Sequence, residues 1–256
     1  MEIINILKKR NKILFWFGAL NLITAVVLIT LAIINPFEFA GANAWYKPIK
    51  FALSTTILVW SVGWYTGYLS SGKDIQISNW VIVITLAFEV VYITWKASEG
   101  EASHFNQSTP FYAAMFALMG LAASIATLAV GYIGMKFFVG QFPQLEKCYL
   151  WALRIGFVLF VVFCFEGFVM GAQLSHTVGA ADGAKGLPFL NWSRVFGDLR
   201  VAHFIGMHAL QILPLLAWFI LKNTKLTIVV GILYGCLAVY VLLQALKAKP
   251  FLEFIN

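Results

Sequence analysis

Between Trp192 and Pro214 the chain passes from a polar loop into an apolar helix and sets Arg200, His203, His208 and Gln211 on its first turns. Ionisable groups in an otherwise apolar helix are costly and are functional-site candidates by default. The other two histidines lie in polar loops, His104 among Glu99, Glu101, Ser103, Asn106 and Gln107, and His176 ahead of Asp182, Lys185, Arg194 and Asp198. Histidine with Asp or Glu is the ligand set of zinc or a non-haem metal, and an open coordination position there activates water or oxygen. His104, His176, His203 and His208 are therefore the candidate metal ligands. Glu99, Glu101, Asp198 and the deeper Glu166 are candidate catalytic groups, with Asp182 a further acceptor that could orient a ligand. Lys47, Lys50, Asn106, Arg194, Arg200 and Gln211 would hold an anionic group such as a lipid phosphate or carboxylate. There is no compact His-x-x-x-His or His-Glu-x-x-His spacing, so the ligands would assemble from three segments.

Helical spacing sharpens the pattern. At about 100° per residue, Gln211 and His208 lie about 20° and 80° to one side of Arg200, and His203 about 60° to the other. His203 and His208 splay about 140° by the same spacing, so each should meet a different partner. Pro214 adds a freed carbonyl at Leu210. Glu166 sits ten residues before His176, about 15 Å deeper along a helix, and Glu89 shares a helix face with Lys96. Each feature has a plainer reading: solvated loop histidines for His104 and His176, and a hydrogen-bonded helix histidine for His203 and His208. Glu89 and Glu166 could hold helices together, and Gly63/Gly67, Gly167/Gly171 and Gly231/Gly235 read as close packing.

These residues must be positioned by membrane-spanning helices. Of the 256 residues, 61% are hydrophobic and only 11% charged, against about 25% charged in soluble domains; the mean hydropathy is +0.84. The chain reads as all-α, one polytopic domain over 1–256, with seven helices at about 13–35, 50–70, 79–98, 111–134, 147–173, 200–221 and 226–247. Lys8, Lys9, Arg10 and Lys12 place the N-terminus in the cytoplasm. That topology puts all four histidines on the outer side, beside Lys47, Lys50, Glu99, Glu101, Asp182, Arg194, Asp198 and Arg200. The net charge of +7 sits around the spans and is not a nucleic-acid signal. Membrane lipids are the expected partners, and oligomeric partners are not specified. Cys148, Cys164 and Cys236 form no disulfide framework. A retinal protein is excluded, because the last helix has lysines, Lys247 and Lys249, only at its end. No internal repeat is apparent, which argues against a repeat-built transporter.

Several runs carry a family resemblance: Lys47-Pro48-Ile49-Lys50-Phe51, Ser103-His104-Phe105-Asn106 with Thr109-Pro110-Phe111, His176-Thr177-Val178-Gly179 with Asp182-Gly183, and Gly197-Asp198-Leu199-Arg200 leading into His203, His208 and Gln211. Together they resemble an uncharacterised family of bacterial integral membrane proteins, over about 45–215. The resemblance implies a bacterial inner-membrane, multi-pass protein of this length and no catalytic activity.

Three functions follow. The favoured one is metal-dependent chemistry on a small or lipid-like anionic substrate at an outward-facing site, with a zinc-like divalent metal as cofactor. The second is a haem-binding redox protein, with histidines as axial ligands and Lys47, Lys50 or Arg200 at the propionates. The third is a non-enzymatic carrier, sensor or assembly partner with an outer anion pocket, in which buried Glu89 and Glu166 relay protons.

Overall fold

Of the basic N-terminal cluster, Lys8, Lys9 and Arg10 close a short helix and Lys12 opens the next. The computed structural model describes residues 2–252, and its first element, α1 (Glu2–Arg10), has Glu2 in the first turn and Lys8, Lys9 and Arg10 in the last, the order the helix dipole favours. Asn11 then turns extended (φ −153°, ψ 95°), and its side chain accepts the Leu14 amide to start α2 (Lys12–Ile34). The Arg10 guanidinium lies 4.1 Å from the Trp64 ring centre and 4.3 Å from that of Tyr68, and donates to the Trp64 carbonyl. After α2 the chain makes a hairpin, β1 (Glu38–Phe39) against β2 (Ala42–Asn43). Ala40 and Gly41 between them both have positive φ, 50° and 75°, which matches the twist of a two-residue hairpin.

The next helix, α3 (Tyr46–Thr66), begins about four residues before the expected start at 50. Pro48 falls in its first turn, where its missing amide has no helical partner to lose. The following helix, α4 (Lys73–Ser98), likewise starts ahead of the expected 79; its first turns are polar, so apolar content alone places the start too late. Then comes α5 (Pro110–Val139), with Pro110 at its first position. The chain divides into two compact units within α5, one up to Ala129 and one from Val130. In the first unit Ala25, Leu28, Trp45, Ile49, Ala52 and Ala97 form a buried cluster.

In the second unit α6 (Lys147–Gln173) matches its expected bounds and ends on Leu174 in a left-handed conformation, φ 53°. The long stretch that follows carries β3 (Thr177–Val178), which pairs antiparallel with β4 (Gly197–Asp198). Helix α7 (Leu199–Leu216) contains Pro214. Pro214 has no amide to offer the Leu210 carbonyl, and three residues on the helix widens into a π-helical turn, Ala217–Leu221. It closes with the Lys222 amide on the Ala217 carbonyl at 3.2 Å. Asn223 then caps α8 (Thr224–Leu246). Helices α6 and α7 pack closely. A Cβ on Gly206 would come within 1.9 Å of the Phe163 ring, so glycine there is a packing requirement.

Among the described residues six helices are long and apolar enough to cross a membrane: α2, α4, α5, α6, α7 with its π turn, and α8. Seven are expected from composition, and α3, the expected second span, is not among the six; Lys47, Lys50, Ser54, Thr55, Thr56, Ser61 and Thr66 dilute its apolar content. Large apolar side chains such as Ile23 and Ile33 on α2 and Ile232 and Leu233 on α8 are exposed. Lipid suits such surfaces and water does not. The protein is a multi-pass membrane protein.

Candidate functional site

In the first unit the polar groups gather where α3 begins and α4 ends. Lys47 Nζ lies 3.2 Å from His104 Nδ1, and Ser103 Oγ lies 3.1 Å from the same nitrogen. The His104 ring also rests near Phe51, Phe105 and Phe116. In the last turn of α4, Lys96 is fully buried and pairs with both Glu99 and Glu101. It also donates to the Tyr112 hydroxyl at 3.2 Å and lies over the Tyr112 ring. Hydrogen bonds from Lys96 and then Tyr112 hold the Glu101 carboxyl below the usual range. Trp95 Nε1 donates to Glu99 at 2.9 Å. Asn106 caps its own loop, accepting from the Ser108 amide and hydroxyl, and Lys50 is half-buried on α3. Within α4, Glu89 is buried, and its Oε1 has no hydrogen-bond partner.

The second unit holds three distinct polar groupings. Asp182 gathers the loop after α6: its Oδ2 accepts the His176 amide at 2.9 Å and pairs with His176 Nδ1 at 2.8 Å. Its Oδ1 accepts the Thr177 amide at 2.9 Å and the Ser175 hydroxyl at 3.1 Å. Burial alone would raise the Asp182 carboxyl, but the hydrogen bonds from His176 and Thr177 outweigh it and hold the group well below the usual range. Asp198, buried at the start of α7, accepts the Ser193 and Arg200 amides and takes the Arg200 guanidinium in a two-pronged pair. Arg200 also donates to the Asn191 carbonyl at 2.6 Å. Arg194 is exposed.

The third grouping lies between α6 and α7. The Glu166 side chain is only 5% exposed, and Oε2 comes to 3.3 Å from His203 Nδ1. Neither carboxylate oxygen nor that ring nitrogen has a hydrogen-bond partner. His208, on another face of α7, lies tilted against the Phe204 ring with centres 4.2 Å apart and has Gln211 as its hydrogen-bond partner.

The pairs thus formed are Lys47 with His104, Lys96 with Glu99 and Glu101, His176 with Asp182, Asp198 with Arg200, and Glu166 with His203. His104 belongs to the first unit and the other three histidines to the second, where each has its own partner. Among the described residues no three His, Cys, Asp or Glu side chains come together to hold a metal ion. Sequence reasoning marks the residue types but misses Lys96 as the hub of its cluster. Its signal was the Lys-x-x-Glu-x-Glu spacing across a helix end. Ser193 and Asn191, which hold the Asp198–Arg200 pair, carry no such signal.

A family model described as "Mntp: Putative manganese efflux pump" matches residues 37–186, more than half of the chain. The chain belongs to this family. No curated protein and no solved structure gives a match. The Mntp match takes in Lys47, Lys50, Glu89, Lys96, Glu99, Glu101, His104, Asn106, Glu166, His176 and Asp182, and stops before Arg194, Asp198, Arg200, His203, His208 and Gln211. It overturns the enzymatic reading: a family described by ion efflux does not support metal-dependent chemistry on a small or lipid-like anionic substrate. It also supplies an activity where the resemblance of the motifs alone implied none. A carrier accords with the family better than an enzyme does.

Proposed function

We propose that the protein is a carrier that exports a divalent cation, manganese foremost, across the bacterial cytoplasmic membrane. Membership of the Mntp family supplies the cargo. The observation that carries the reading is that Glu89 and Glu166 are buried inside apolar helices with carboxylate oxygens left without hydrogen-bond partners. A buried carboxylate whose hydrogen bonding is incomplete is costly in such a place. A cation that visits during transport offsets that cost, and carboxylate oxygen suits manganese. The cargo is then a cation, and the basic residues serve the fold: Arg200 is taken up by Asp198 and Lys96 by Glu99 and Glu101. In this reading α3 crosses the membrane as a seventh span. Lys8, Lys9, Arg10 and Lys12 keep the N-terminus in the cytoplasm by the positive-inside rule.

The test is manganese flux in proteoliposomes enclosing a manganese-quenched dye. The wild-type protein should quench the dye under an imposed ion gradient, and Glu89→Gln should slow quenching at least about tenfold, the cost of roughly 1.4 kcal/mol in a barrier. Wild-type vesicles no faster than empty ones, for every divalent cation tried, would refute the carrier.

A further inference from the structure

We propose that Glu166 and His203 together form a divalent-cation binding point between α6 and α7, a site that rests on the carrier reading and gives its cargo a place in the second unit. Three observations converge on it. Glu166 is nearly buried within an apolar helix, and neither of its oxygens has a hydrogen-bond partner. The His203 Nδ1 stands 3.3 Å from Oε2, close enough for an ion pair, yet no hydrogen bond joins them. A buried polar group left unbonded costs about 1–3 kcal/mol, and an ion shared by the carboxylate and the imidazole offsets that cost.

The backbone is built around the imidazole. A Cβ on Gly167, the residue after Glu166, would come to 3.3 Å from His203 Cε1 and 3.7 Å from Nδ1. Glycine at that position therefore lets the ring come close to α6 beside the carboxylate. The close approach of Gly206 to Phe163 one turn along α7 holds the two helices at this spacing. The carboxylate oxygen is the kind of donor manganese favours, and the imidazole nitrogen beside it across the two packed helices is a general metal ligand. No third His, Cys, Asp or Glu completes the set among the described residues. Such a site leaves several positions to water and holds its ion weakly. Cargo needs this, since a translocated ion must leave as well as enter.

The experiment uses the full-length protein purified in detergent, titrated with manganese alone and followed by electron paramagnetic resonance. Bound manganese should show the magnetic coupling of one imidazole nitrogen, and His203→Ala should abolish that coupling. Glu166→Gln and His203→Ala should each weaken binding roughly tenfold or more, at least the cost of disturbing a ligand's support. Gly167→Ala, which keeps both ligands and crowds the ring, should weaken binding as well. Wild-type protein that binds manganese with no nitrogen coupling, or whose affinity is unchanged in both ligand variants, would overturn this site while leaving the carrier intact. Wild-type protein that binds no manganese and moves none in vesicles would overturn the carrier and the site together. The nitrogen coupling is read on the wild-type chain, so the site stays testable if a variant fails to fold.

Discussion

Asp182 shows how much one loop carboxylate can organise. It takes four hydrogen bonds from three successive residues, Ser175, His176 and Thr177, and so fixes the chain where it leaves α6 for β3. With the side chain about one-third exposed, Asp182→Ala should cost about 1–3 kcal/mol, read as a lower melting temperature in detergent. The pH dependence follows in sign from the depressed folded pKa. In the unfolded chain the carboxyl binds its proton near pH 4, while in the folded chain it stays ionised well below that. Its contribution is therefore complete above about pH 4 and is lost as the pH falls towards the folded value. The wild type and Asp182→Ala should differ in stability at pH 6 and converge in strong acid. A gap that stays constant down to about pH 2 would refute the assignment. His176 and Asp182 were both visible in the sequence as polar loop residues, but nothing in a one-dimensional spacing of six residues says that they are each other's partners.

At the scale of elements, six of the seven expected spans were legible among the described residues and the joints were not. Apolar length alone located α6 to the residue and α8 to within two. Polar first turns hid the starts of α3 and α4, because Lys47-Pro48 and Lys73-Asp74 look like loop until the rest of the helix is seen. The β1–β2 hairpin escaped because its turn reads Ala-Gly instead of the Asn-Gly or Asp-Gly that announces such turns. Ala40 pays for this, holding φ 50° with a Cβ that this region disfavours. The hairpin matters for placing α3: Asn43 donates to the Ala32 carbonyl at 3.1 Å, and its side chain accepts the Trp45 amide at 3.0 Å. Ala40→Asn or Ala40→Gly should therefore stabilise the joint by up to about 1 kcal/mol. Hydrogen exchange of the Ala44 amide, bonded to the Phe37 carbonyl at 3.0 Å, should slow by up to about fivefold, the equivalent of that energy. Faster exchange in both variants would show that the turn is not under the stated strain.

Over the whole molecule, each unit follows the same order of elements: a long helix, an antiparallel strand pair, a second helix, a short polar turn and a third helix. The order runs α2, β1–β2, α3, α4 in the first and α6, β3–β4, α7, α8 in the second. In each the second strand ends on an Asx residue whose side chain accepts the amide two residues on, Asn43 from Trp45 and Asp198 from Arg200, at 3.0 and 3.1 Å. This repeat is invisible in the residues themselves, since apolar side chains facing lipid interchange freely and only the caps are constrained. The parallel bears on α3, because the corresponding helix α7 with its π turn is long and apolar enough to span the membrane. If α3 also spans, the crossings number seven and the two termini lie on opposite sides; if it does not, six crossings return them to the same side. Fusions at the C-terminus decide the matter, since alkaline phosphatase is active only outside the cytoplasm and green fluorescent protein folds to its fluorescent form inside. A phosphatase-active, dark C-terminus together with a fluorescent fusion in the Gly67–Gly72 turn is the expected result. It follows from the positive-inside placement of the Lys8–Lys12 cluster and a crossing α3. A fluorescent C-terminus would show that α3, with its lysines and hydroxyls, does not cross.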